Sequence, residues 1–113
     1  ETLEGFDQQF FLYSEEIDLC LRARQLGFQP TLITNAKLRH AKGASMPSDR
    51  QLEFLFCGKF LYANKHFNAL NRKIYKGLCF AGAFFRSIFL PHPKNIHWRS
   101  LSKKILSGTL RYD

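Results

Sequence analysis

The chain has 113 residues, of which 45% are hydrophobic and 15% aromatic, and it carries a formal net charge of +8. That length suffices for one domain with one core, and so apolar a composition excludes an intrinsically disordered chain. Cys20, Cys57 and Cys79 stand far apart in no metal-ligand spacing, so they read as reduced, buried thiols of a cytosolic protein.

The opening stretch ETLEGFDQQF carries Glu1, Glu4 and Asp7 and no apolar run. It does not have the pattern of a signal peptide, and the chain is expected to be a piece of something longer. A helix is predicted from Glu15 to about Leu26. Ser14 is placed as its N-cap, Ile17, Cys20, Leu21 and Arg24 follow helical spacing, and Gly27 takes the left-handed C-cap position. FQPTLIT (28–34), closed by Asn35, and AKLRH (36–40) are predicted as short strands, the first an edge strand because Pro30 lacks an N–H.

After the loop AKGASMP, Ser48 and Gln51 have the spacing of a capping box that opens a helix reaching about Phe67. Leu52, Leu55, Phe56, Phe60, Ala63 and Phe67 form its apolar stripe, while Phe54, Cys57 and Leu61 lie off it, so more than one face is expected to be covered. A second long helix is predicted from about Asn71 to Leu90, ended by the Pro-His-Pro of 91–93. A short basic helix at about 99–107 closes the chain. In the second long helix the longest uninterrupted apolar run, Gly77 to Phe85, is interrupted by Arg86. It falls well short of the roughly 18–20 residues that span a bilayer. A basic, membrane-surface helix and a buried core helix both fit it.

Charge divides unevenly along these elements. Residues 1–34 hold six acids against two arginines, a net of −4, and residues 35–113 hold fifteen Lys or Arg against three acids, a net of +12. A basic, aromatic tail of this kind suits an anionic surface, phospholipid or nucleic acid, and equally the plain solvation of exposed helix faces.

EGFDQQFFLYSEEIDLCLRARQLGF (4–28) followed by NAKLRHAKGAS (35–45) resembles the C-terminal part of the catalytic domain of family-2 glycosyltransferases. The likeness is closest to bacterial rhamnosyltransferase-type enzymes that build cell-surface polysaccharide. It runs through Gly5, Phe6, Asp7, Phe10, Phe11, Tyr13, Glu15, Glu16, Asp18, Arg22, Gly27 and His40, with Gly43 and Ser45 beyond. The resemblance implies an α/β protein: the C-terminal fragment of a GT-A fold, with one or two short strands, three to four helices and a helix-rich tail. Residues 1–47 would complete the catalytic domain with its acceptor and base segment. Residues 48–113 would form a helical, basic, aromatic extension.

It further implies an inverting hexosyltransferase that moves a sugar from a nucleotide-sugar donor to a glycan or lipid-linked acceptor, at the cytoplasmic face of a bacterial membrane and without nucleic acid. In that reading Glu16, the second acid of the pair, is the general base, and Glu15 is the alternative. Acids also suit the first turn of any helix, whose N-terminus favours negative charge. Tyr13, Phe11, Asp18 and Arg22 are the acceptor-side candidates, although on spacing alone Asp18 and Arg22 make an ordinary i,i+4 ion pair and the aromatics suit a core. The resemblance puts His40 in the shell of a Mg²⁺ or Mn²⁺ ion or beside the diphosphate, where spacing alone makes it a strand-end histidine. The nucleotide-binding half, with its Asp-x-Asp metal motif, is absent from these residues, so turnover is expected only from an intact enzyme that has it. The competing class is a noncatalytic basic module that binds nucleic acid or an anionic membrane.

Overall fold

Four helices account for the regular structure in the computed structural model, which describes residues 3–37, 39 and 48–112. Helix α1 spans Glu15–Gln25, α2 Ser48–His66, α3 Ala69–Phe89 and α4 Lys94–Ser107. Local chemistry fixes most of their ends. Gly27, at φ 87°, lets α1 stop, with Phe28 N–H donating to the Ala23 carbonyl at 2.9 Å. Asn68 caps α3 by accepting from Asn71 N–H at 2.8 Å, so that helix starts two residues earlier than periodicity suggests. Pro93 occupies the N-cap of α4, which therefore begins at Lys94, a full turn before the expected 99, and Gly108 at φ 70° ends it.

The expected α/β architecture is overturned. Among the described residues there is no strand, and the fold is all-helical. The stretch 28–37 runs irregularly with Leu32 85% and Ile33 72% exposed. A strand satisfies its N–H and C=O groups only against a partner strand. No described segment supplies one, and Pro30 removes a donor besides. Leu38 and His40, which carry the second expected strand, lie outside the described residues.

The core forms where α3 and α4 pack on one another and α2 lies across both. Leu101 and Ala83 are fully buried there with Phe56, and Leu52, Phe60, Cys79, Trp98, Ile105 and Leu110 pack around them. Burying a leucine such as Leu101 stabilises by roughly 1.5–3 kcal/mol. Aromatic edges finish the joint: Phe56 meets Trp98 at 6.2 Å and Phe60 at 6.1 Å, and Arg86 lies over the Trp98 ring at 5.0 Å. Off this stripe, Phe54 of α2 is buried against the N-terminal segment, with Phe11 and Tyr112 each 5.6 Å from its ring. Two faces of α2 are thus covered, which explains why its apolar residues do not keep to one stripe.

Helix α1 is turned the other way from its expected orientation. Ile17 and Cys20 face solvent, while Asp18 and Ala23 are buried. The exposure of Cys20 corrects the reading of all three cysteines as buried. No helix among the described residues is long and apolar enough to cross a membrane.

Candidate functional site

The acidic pair stands on a strained turn. Tyr13 and Ser14 both take left-handed backbone angles, φ 69° and 73°, which cost a non-glycine residue roughly 1–2 kcal/mol each. Ser14 precedes α1 as expected, yet its side chain makes no cap bond; its carbonyl instead accepts from Asp18 N–H at 3.0 Å. What holds this conformation is close packing against α2. A Cβ on Gly58 would collide with the Tyr13 carbonyl oxygen and sit 3.0 Å from the carbonyl carbon and 3.2 Å from Ser14 Oγ. Only glycine lets α2 come this near. Strain kept in place by surrounding packing is a mark of functional sites.

One turn into α1, Asp18 is the organising charge. It is wholly inaccessible to solvent. Its Oδ2 accepts from Arg22 Nε at 2.7 Å, and its Oδ1 lies 2.7 Å from His66 Nε2 and 2.8 Å from Lys65 Nζ. The two cationic donors reach onward. Lys65 Nζ also meets Asp7 Oδ2 at 2.6 Å, and Arg22 Nη2 donates to the Gly5 carbonyl at 2.6 Å. Asp7 is itself an Asx turn, accepting Gln9 N–H at 2.9 Å. The Gly-Phe-Asp turn is thereby tied to α1 and to the end of α2 through a single carboxylate.

Burial alone would push the Asp18 carboxyl up. Hydrogen bonds from Lys65, His66 and Arg22 outweigh it and bring the group down from 3.8 to about 2. Asp7 is lowered by the Lys65 hydrogen bond first and by Gln9 N–H second. For Lys65, desolvation works toward a lower value, but Asp18 and then Asp7 carry it above the usual lysine value. Beside this network lies a polar basin of about 560 Å³, walled by Gly5, Phe6, Asp7, Arg22 and Lys65 among others. Two cations, two carboxylates (Glu4 and Asp7) and the amides of Gln8 and Gln9 suit a hydroxyl-rich ligand.

The expected site residues that are described take definite places. Asp18 and Arg22 meet as the predicted i,i+4 pair, but Asp18 is enclosed and committed to its donors, whereas Arg22 reaches the basin. Glu16 is exposed in the first turn of α1. Glu15 is half-buried, with a buried Oε2 that has no hydrogen-bond partner among the described residues. Burial first, then Cys57 and the Glu15 charge, push the Tyr112 hydroxyl up to about 12. Phe11 and Tyr13 do not line the basin, and neither member of the acidic pair does. Phe11 instead edges Phe54 and Tyr112. His40 lies outside the described residues, and among those described no three His, Cys, Asp or Glu side chains converge as a metal set. Lys65, His66 and Gly58 had no role assigned from the sequence; a basic pair closing a helix was the one visible signal. No family model, curated protein or solved structure matches the chain.

Proposed function

We propose that this chain is the acceptor-side portion of a sugar-transferring enzyme, with Glu16 as its general base. The observation that carries the reading is the acidic pair set directly after the strained Tyr13–Ser14 turn, which Gly58 and the Asp18 network hold rigid. In the reaction, the acceptor hydroxyl gives its proton to the Glu16 carboxylate as its oxygen bonds to the anomeric carbon. The bond from that carbon to the nucleoside diphosphate breaks on the opposite face, giving inversion. Solvent exposure in a first helical turn gives Glu16 access to such a hydroxyl. Glu15, half-buried near Tyr112, is the alternative base. Arg22 and the basin beside it offer a place for the acceptor's other hydroxyls. Ile17, Phe28, Leu32 and Ile33 leave apolar side chains in water, which suits burial against a nucleotide-binding half.

The reading extends to a place at an anionic membrane. Helix α3 turns Leu70, Ile74, Leu78, Phe85, Ile88 and Phe89 outward along one face, about 30 Å at 1.5 Å per residue. The surrounding tail carries the net +12 of residues 35–113. A helix with such a stripe and basic neighbours lies in a lipid interface.

The decisive experiment is Glu16→Gln in the intact enzyme. Turnover is expected to fall by about 10²- to 10⁴-fold with donor affinity unchanged. Wild-type turnover in that variant would remove Glu16 from the role, and the same loss from Glu15→Gln alone would transfer the role to Glu15.

A further inference from the structure

Between α3 and α4 runs a groove of about 580 Å³, a volume typical of small-molecule sites. Its apolar wall is made by Phe80, Phe84, Ile88 and Leu106, the first two rings stacked at 6.0 Å. The polar wall comes from one face of α4, where Asn95, Arg99 and Lys103 recur every fourth residue. Asn95 Oδ1 is buried and has no hydrogen-bond partner among the described residues. Arg99 and Lys103 form no ion pair there either, in contrast to Lys104 next to them, which meets Glu53 at 2.6 Å. An acceptor lacking a donor, two cations lacking an anion and an apolar wall thus share one groove. A buried acceptor left unmet costs about 1–3 kcal/mol, which a ligand hydroxyl would recover.

The geometry points to a binding site for one anionic glycerophospholipid with a hydroxylated headgroup, of the phosphatidylglycerol type. Its phosphodiester accepts from Arg99 and Lys103, a headgroup hydroxyl donates to Asn95 Oδ1, and its acyl chains lie on the phenylalanines. Ile88 and Phe84 belong both to this wall and to the exposed apolar side of α3, so the chains pass from groove to leaflet without crossing polar surface. A phosphatidylmethanol has the same phosphodiester charge but no headgroup hydroxyl for Asn95. A nucleic-acid strand supplies phosphates and bases that stack on the rings, but nothing that covers the aliphatic continuation of the wall along Ile88 and Leu106. The site stands independently of sugar transfer.

The test titrates the full 113-residue chain with dihexanoyl-phosphatidylglycerol below its micelle concentration, so that a site is separated from a surface. Dihexanoyl-phosphatidylmethanol and dihexanoyl-phosphatidylcholine serve as comparisons. Calorimetry is expected to show saturable one-to-one binding of the glycerol lipid, about tenfold tighter than the methyl ester and far tighter than the choline lipid. Asn95→Leu abolishes the preference for glycerol over the methyl ester; the pair Arg99→Gln and Lys103→Gln weakens both anionic lipids at least about tenfold. Lys73→Gln, outside the groove, changes neither. Circular dichroism checks the fold of each variant, and the wild-type headgroup series decides even where a variant fails to fold. Non-saturable binding, equal affinity for the two anionic lipids, or displacement of the lipid by a short single-stranded RNA would overturn the site. Neither donor nor acceptor sugar is present, so such a failure leaves the sugar-transfer reading untouched.

Discussion

Asp18→Asn preserves the shape of the side chain and removes the charge on which Arg22, Lys65 and His66 converge. Its effect can be worked from two directions. A folded-state value of about 2 against an ordinary 3.8 is worth about 2–3 kcal/mol of stability at neutral pH, at about 1.4 kcal/mol per unit. Removing one member of a buried pair costs about 3–5 kcal/mol when the partner is stranded without water. Here the Lys65 and Arg22 side chains are 30% and 23% exposed, so solvent recovers part of that loss, and about 2–3 kcal/mol is expected.

The sign with pH follows from the depressed folded value. The Asp18 contribution is complete above the unfolded-state value of about 3.8 and is lost as pH falls toward about 2. Urea unfolding, followed by far-ultraviolet circular dichroism, should show the variant about 2–3 kcal/mol less stable near neutrality with an unchanged urea slope. The gap between wild type and variant should narrow by about 2 kcal/mol on acidification from about pH 5 to about pH 2. A difference below about 0.5 kcal/mol at neutrality, the size of an ordinary surface substitution, would refute the role given to Asp18. So would a gap that stays constant across the acid range.

Gly58→Ala places a Cβ against the Tyr13 backbone rather than against a movable side chain, and it should destabilise by about 1–3 kcal/mol in the same unfolding assay. Wild-type stability there would show that the Tyr13–Ser14 turn is not held by this contact. Alkylation followed by peptide mass spectrometry should label exposed Cys20 first and buried Cys57 slowly. Cys79 should also lag, because burial raises its thiol against the smaller opposing effects of Lys59 and Tyr75; equal labelling of Cys20 and Cys79 would count against this packing.

What was legible in the sequence is the part that local chemistry decides. Gly27 and the Pro-His-Pro of 91–93 end α1 and α3 close to where the sequence places those ends, while the Asn68 and Pro93 caps start α3 and α4 earlier than periodicity alone suggests. The apolar repeat of α2 marks its contact with the core through Leu52, Phe56 and Phe60. Strand patterning in 28–34 was legible too, but a strand exists only with a partner, and Leu32 and Ile33 therefore stay in solvent. Tyr13 and Ser14 gave no sign of left-handed backbone, since neither residue type favours it. The reason for their conformation is a glycine more than forty positions on, and no local pattern carries that information.

Helix α1 shows why the site resisted a sequence reading more than the fold did. Its apolar residues mark one face, and that spacing alone would bury Ile17 and expose Asp18. The opposite occurs because Lys65 and His66 close α2 beside it, and three donors make burial of a carboxylate favourable. The inversion has a second effect: it leaves Ile17 and Cys20 on the surface. An ion network at one face of α1 and exposed apolar residues at the other are two results of a single rotation. If the sugar-transfer reading holds, the same rotation presents Glu16 to an acceptor and Ile17 to the nucleotide-binding half. Replacing Asp18 should therefore disturb both activity and the joining of the two halves, whereas replacing Ile17 by Ser should weaken only the joining.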